Sequence, residues 1–173
     1  MCPRSTSGSV FYSTLTTDPL EFKLFREGRA CNVLVHVGHD LAEGWNWFVS
    51  VGLDTMAGGD LEYYFVLLRV DAETGEVTPY RSGREVRAAI PPGERKAIRA
   101  TILQATQFLL GHARPPRVYR VTYDVDPPDR ALEKHHAISQ VFEECGYAVA
   151  TADAVYGQRF WWMELRTPSP LTT

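Results

Sequence analysis

Apolar and polar positions alternate along much of the first half of the chain. Cys31, Val33, Val35 and Val37 are interleaved with Asn32, Leu34 and His36; Trp45, Trp47, Val49, Val51 and Leu53 are interleaved with Asn46, Phe48, Ser50 and Gly52. A period of two puts each set on one face of a strand, the more apolar set toward a core. Tyr63 to Val70 is apolar on both faces as far as Arg69, which predicts a central strand. Asp71-Ala-Glu-Thr-Gly75 follows as a turn, with Glu76 to Tyr80 as the return strand of a hairpin. Earlier strands are expected over Val10 to Leu15 and Glu21 to Arg26.

The period then changes. After Pro91-Pro92-Gly93, Ile98, Ile102, Ala105 and Leu109 fall on one helical stripe with Phe108 beside it, and Gly111 is the expected stop. Val118 to Val125 reads as a strand with Tyr119, Val121, Tyr123 and Val125 on one face and Arg120 on the other. Asp129 is the expected cap of a second helix, on which Ala131, His135, Ile138, Phe142 and Cys145 share a face before Gly146 ends it. Tyr147 to Thr151 and Gln158 to Arg166 close the chain as a hairpin around Tyr156-Gly157. A strand-rich half followed by α, β, α, β, β predicts an α+β fold: a two-layer sandwich, with a mainly antiparallel sheet and two helices packed on one face.

At 173 residues the expectation is one domain over 1–173, with flexible tails at 1–8 and 167–173. A chain of this size buries roughly 70% of its unfolded surface and needs no metal or disulfide staple. Cys2, Cys31 and Cys145 are odd in number and show no CxxC spacing, which suits a reducing compartment. Met1 to Thr17 is rich in Ser and Thr without a secretory apolar run, and Tyr63 to Leu68 is far short of the roughly 20 apolar residues of a membrane helix. A cytoplasmic protein, with no membrane partner and no implied cofactor, is expected.

No motif names a reaction. His36-Val-Gly-His39-Asp40 offers two imidazoles and a carboxylate, donors that suit zinc or iron, but at a strand end rather than along a helix. Cys145 lies about 15 Å along the helix axis from His135 and about 13 Å from His136, too far for a nucleophile and its base. His135, within the apolar stripe, reads as an edge-of-core residue, and His136 as outward-facing. Trp161 and Trp162 point to opposite faces of their strand, so at most one could offer a stacking platform for a base. The phosphate-cradling GxxxxGK pattern is missing.

Charge distribution changes the picture. Residues 81–120 hold eight arginines and Lys96 against Glu85 and Glu94, a local charge of +7 in a chain of net charge −3, so the remainder carries −10. Arginine grips carboxylate or phosphate through two parallel bonds. The leading expectation is therefore a non-catalytic binding module. Arg84, Arg87, Arg95, Lys96, Arg99, Arg114, Arg117 and Arg120 would form one surface for an acidic protein or a nucleic-acid backbone. Two alternatives stand beside it: a metal-dependent hydrolase or oxygenase using His36, His39 and Asp40, and a structural or oligomer-forming subunit without a ligand.

Overall fold

The alternating segments become three long strands, β3 (Ala30–Asp40), β4 (Trp45–Thr55) and β5 (Leu61–Asp71), paired antiparallel in chain order. The computed structural model describes residues 11–15, 20–127 and 129–166. The tails at 1–8 and 167–173, and Val10 of the first expected strand, lie outside the described residues. The buried face carries Cys31, Val33, Val35 and Val37, then Trp47, Val49, Val51 and Leu53, then Leu61, Tyr63 and Leu67. Those are the sets that the period of two selects, because register pairs Val33 with Val51 and Val51 with Phe65. On the outer edge, β1 (Tyr12–Ser13) and β2 (Lys23–Glu27) both pair with β3. β6 (Val77–Tyr80) folds back on β5 after the expected turn at Asp71, whose Oδ1 accepts from the backbone N–H groups of Glu73 and Thr74.

The second half supplies helix α2 (Arg95–Ala113), strand β7 (Arg117–Val121), helix α3 (Asp129–Glu144) and the hairpin β8 (Tyr147–Val155) and β9 (Gln158–Leu165). Within the described residues the result is an α+β fold with one nine-stranded, mostly antiparallel sheet and three helices. α2 lies against β3 and β4, and α3 against α2 and β8. Tyr156 and Gly157 make the β8–β9 turn with φ of 50° and 78°, the double positive φ that suits the right-handed twist of a hairpin. None of the described helices is long and apolar enough to cross a membrane.

Several boundaries differ from expectation. A third helix, α1 (Gly83–Ala89), was absent from the apolar pattern because it buries no side chain. A capping box holds it instead: the Ser82 side chain accepts from the Glu85 N–H, and the Glu85 carboxylate accepts from the Ser82 N–H. α2 runs through Gly111 to Ala113, because Leu109 and Leu110 bury its last turn and Pro115 is the first residue that cannot continue it. Arg114, in left-handed conformation with φ of 42°, closes that helix by donating to the Leu110 carbonyl. α3 begins at Asp129 itself. β7 stops at Val121, and Tyr123 and Val125 are exposed in the loop that follows.

One feature of the sheet positions the site. β5 pairs with β4 along its whole length, but its other edge is shared. β7 pairs parallel there at Leu61 and Glu62, and β6 antiparallel from Leu67 to Val70. Among the described residues, 63–66 have no strand partner on that edge, so the sheet forks between β6 and β7. Phe142 anchors the helix layer behind the fork: fully buried, it meets Tyr63 and Tyr147 edge-to-face at 5.4 and 5.3 Å between ring centroids. Phe142→Ala is expected to cost about 3–5 kcal/mol, read as a lower midpoint of urea unfolding. A midpoint unchanged from wild type would show that this aromatic cluster does not bear on stability.

Candidate anion-binding site

β7 pairs with β9 so that Val118 faces Met163 and Arg120 faces Trp161. That register sends Val118, Arg120 and Thr122 to the helix-covered side, all buried, while Tyr119 and Val121 turn to the other face. Arg120, expected on a basic surface, is instead turned inward. It is 3% exposed, and its guanidinium carbon lies 5.2, 5.2 and 5.5 Å from the ring centroids of Tyr63, Phe65 and Trp161. One terminal nitrogen, Nη2, donates to Nδ1 of His135 on α3 at 2.6 Å. The other, Nη1, is buried without a hydrogen-bond partner. Among the described residues, no carboxylate pairs with this cation.

A guanidinium can only donate, so His135 Nδ1 must accept and the imidazole proton sits on Nε2. Burial, reinforced by Arg120, Lys134 and His136, pushes the His135 pKa down to about 2. The ring therefore stays neutral, stacked on Trp161 at 5.0 Å and 8° between planes. Burial also lowers Arg120 to about 10, opposed by Tyr63, which leaves it cationic at neutral pH. Tyr63 is raised by burial to about 12, and its hydroxyl shares a 2.6 Å hydrogen bond with Thr106 of α2. Lys134 extends its ammonium over Phe65 at 5.2 Å, and its pKa is lowered by burial and then by Arg120.

These groups line a cavity of about 180 Å³ in the fork of the sheet. β5 contributes Glu62 to Phe65, β7 and its following loop contribute Arg120 to Asp124, and α3 contributes Lys134 and His135. Arg81, just after β6, and Gln158 of β9 complete the wall. Three cations and two carboxylates in this lining leave one net positive charge around an aromatic interior. Among the lining groups, burial and then Asp54 raise the Glu62 carboxyl above the usual carboxylate range.

Of the other arginines in 81–120, Arg81 shares the cavity wall with Arg120, and Arg87 lowers the Lys134 pKa there. Arg84 and Arg87 are exposed on α1. Arg95 donates to the Ile90 and Arg87 carbonyls, and Arg99 to the Glu133 carbonyl, with the Glu133 carboxylate at 3.8 Å. Lys96 is exposed. Arg114 lies beyond the far end of α2, about 28 Å from Arg95 at 1.5 Å per residue. Arg117 pairs with Glu164 at 3.2 Å and covers Trp162, whose face of β9 is half-exposed. The 19 residues of α2 run from Arg95 to the residue before Arg114.

The metal candidates are also kept apart in role. His36 is exposed at 3.4 Å from the Thr14 hydroxyl, and His39 stacks on Tyr12. Asp40 is buried, and its Oδ1 accepts from the Ala42 and Glu43 N–H groups to shape the β3–β4 turn. Among the described residues no group of three His, Cys, Asp or Glu side chains could hold a metal ion. The signal in the sequence for this cavity was polarity inside an apolar pattern: His135 on the stripe of α3. Comparison with protein families, curated proteins and solved structures returned no match to this chain.

His135 also sets a pH dependence. Its folded pKa lies below the unfolded value near 6.5, so its contribution to stability is complete above about pH 6.5 and is lost as pH falls toward 2. Unfolding free energy should drop by up to about 1.4 kcal/mol per pH unit across that window. His135→Phe, which cannot take up a proton, should flatten the slope by nearly one proton in urea titrations from pH 7 to pH 4. An unaltered slope would remove His135 as its source.

Proposed function

We propose that this protein is a binding module for a small anionic molecule, received in the fork between β6 and β7. The anionic group would lie against Arg120 and Lys134. The observation that carries this reading is a cation taken almost wholly out of water with no carboxylate partner and one terminal nitrogen unbonded. Such a charge costs several kcal/mol, and a ligand anion supplies the missing partner. The small, partly open cavity at its side offers room for that group. The reading keeps an anionic partner but exchanges an extended basic surface for a concave one. A small molecule, rather than an acidic protein or a nucleic-acid backbone, is the partner that fits.

The test is thermal unfolding against a panel of small carboxylates and inorganic phosphate. A ligand at 100 times its Kd stabilises by about 2.7 kcal/mol, and each kcal/mol moves Tm by about 2–4 °C at this chain length. At least one anion should raise Tm of the wild type by several degrees. Arg120→Met, similar in volume and uncharged, should abolish that rise while leaving basal stability equal or higher, as replacement of a buried charge often does. Lys134→Gln should weaken it. A panel without effect on the wild type, or an Arg120→Met variant that responds as the wild type does, would refute the proposal.

A further inference from the structure

We infer that the ligand is a monocarboxylate carried on a single planar ring, an arene carboxylate of about the size of benzoate. This inference rests on the anion-binding reading above and narrows it to one chemical class. Charge is the first argument. Arg81, Arg120 and Lys134 face Glu62 and Asp124 around the cavity, and His135 is neutral, so the lining holds one uncompensated positive charge. A carboxylate neutralises it. A phosphate near its second ionisation, at about −1.5 to −2, overshoots and sets surplus negative charge beside two carboxylates.

Donor count points the same way. His135 already occupies Nη2 of Arg120, which leaves Nη1 as the unbonded terminal nitrogen, with the Lys134 ammonium on the same wall. Nη1 and the Lys134 ammonium match the two oxygens of a carboxylate. The Asp124 carboxylate, which acts on Lys134, would repel the second negative charge of a phosphoryl group.

Shape supplies the third argument. Tyr63, Phe65 and Tyr123 are among the lining residues, whereas the Tyr64 ring packs over Gly52 on the other face of β5, and the cavity of about 180 Å³ is near the roughly 150 Å³ that accepts a benzene molecule. It is well below the usual range of about 300–1,000 Å³ for larger ligands. A flat ring can meet the edge of Phe65 while its carboxylate reaches Arg120 and Lys134, which lie over the Phe65 ring, each 5.2 Å from its centroid.

Isothermal titration calorimetry of the full chain with benzoate, acetate and inorganic phosphate tests the inference. Benzoate should bind at least about tenfold tighter than acetate, because burying a ring contributes more than one order of magnitude in affinity. It should also bind more tightly than phosphate. Phe65→Leu should weaken benzoate several-fold with little effect on acetate, and Lys134→Gln should weaken both. Acetate or phosphate binding as tightly as benzoate, with the response lost in Arg120→Met, would overturn the ring carboxylate and leave the anion site standing. No binding of any of the three would overturn the ring carboxylate, and the wider panel of the previous section then decides the anion site separately. An Arg120→Met variant that fails to fold does not block the test, since the Phe65→Leu and Lys134→Gln comparisons read the same contacts.

Discussion

Between Trp161 of β9 and the Tyr63–Phe65 segment of β5, the helix-covered side of the sheet holds a guanidinium where an aliphatic side chain would ordinarily pack. Withdrawing that charge from water costs several kcal/mol. Three ring faces, at about 0.5–2 kcal/mol each, and one hydrogen bond to a neutral imidazole offset part of the cost. The surroundings follow from this one burial. His135 must present a bare Nδ1, so its protonation is suppressed. Tyr63 directs its hydroxyl to Thr106 and keeps its ring for the cation, and Lys134 loses basicity beside it. An anion arriving in the cavity would complete an electrostatic arrangement that the fold leaves open by one partner.

The fork in the sheet makes this arrangement possible. Parallel strands need a crossover connection, and here α2 carries the chain from β6 across to β7, so the two approach the same edge of β5 from different parts of the sequence. Each claims one end of that edge. The unclaimed stretch, 63–66, lies where side chains from β5, β7, β9 and α3 converge. Crevices where neighbouring strands part are recurrent ligand sites in sheets with helical crossovers, and the physical reason applies here: the gap exposes core-facing side chains without exposing the core.

Much of the fold was legible in local pattern. Val33, Val35, Val49 and Val51 marked their own strands, and Ile98, Ala105 and Leu109 marked α2, because burial on one face leaves a period in the sequence. α1 left no such period, since only Val86 and Ala89 pack against the core, each half-buried, while Ser82 and Glu85 cap its first turn; the Ser-x-x-Glu spacing was there to be read. Gly111 misled because it keeps a helical backbone here, and the left-handed residue that closes α2 is Arg114, next to Pro115. The charge run over 81–120 is a count that does not say where each side chain points. α2 holds its two halves apart, and Arg95, Arg99 and Arg117 have local acceptors.

β7 draws the line between the two levels. Sequence alone determined that Val118, Arg120 and Thr122 alternate with Tyr119, Val121 and Tyr123, because backbone geometry in a strand permits nothing else. It also determined the helix on which His135 falls in step with Ile138 and Phe142. Which side of β7 would be covered was a tertiary decision, made by pairing Arg120 opposite Trp161 and Val118 opposite Met163. Alternation has two faces and no sign. Only neighbours drawn from β5, β9 and α3, distant along the chain, could turn the face bearing an arginine inward and the one bearing tyrosines outward.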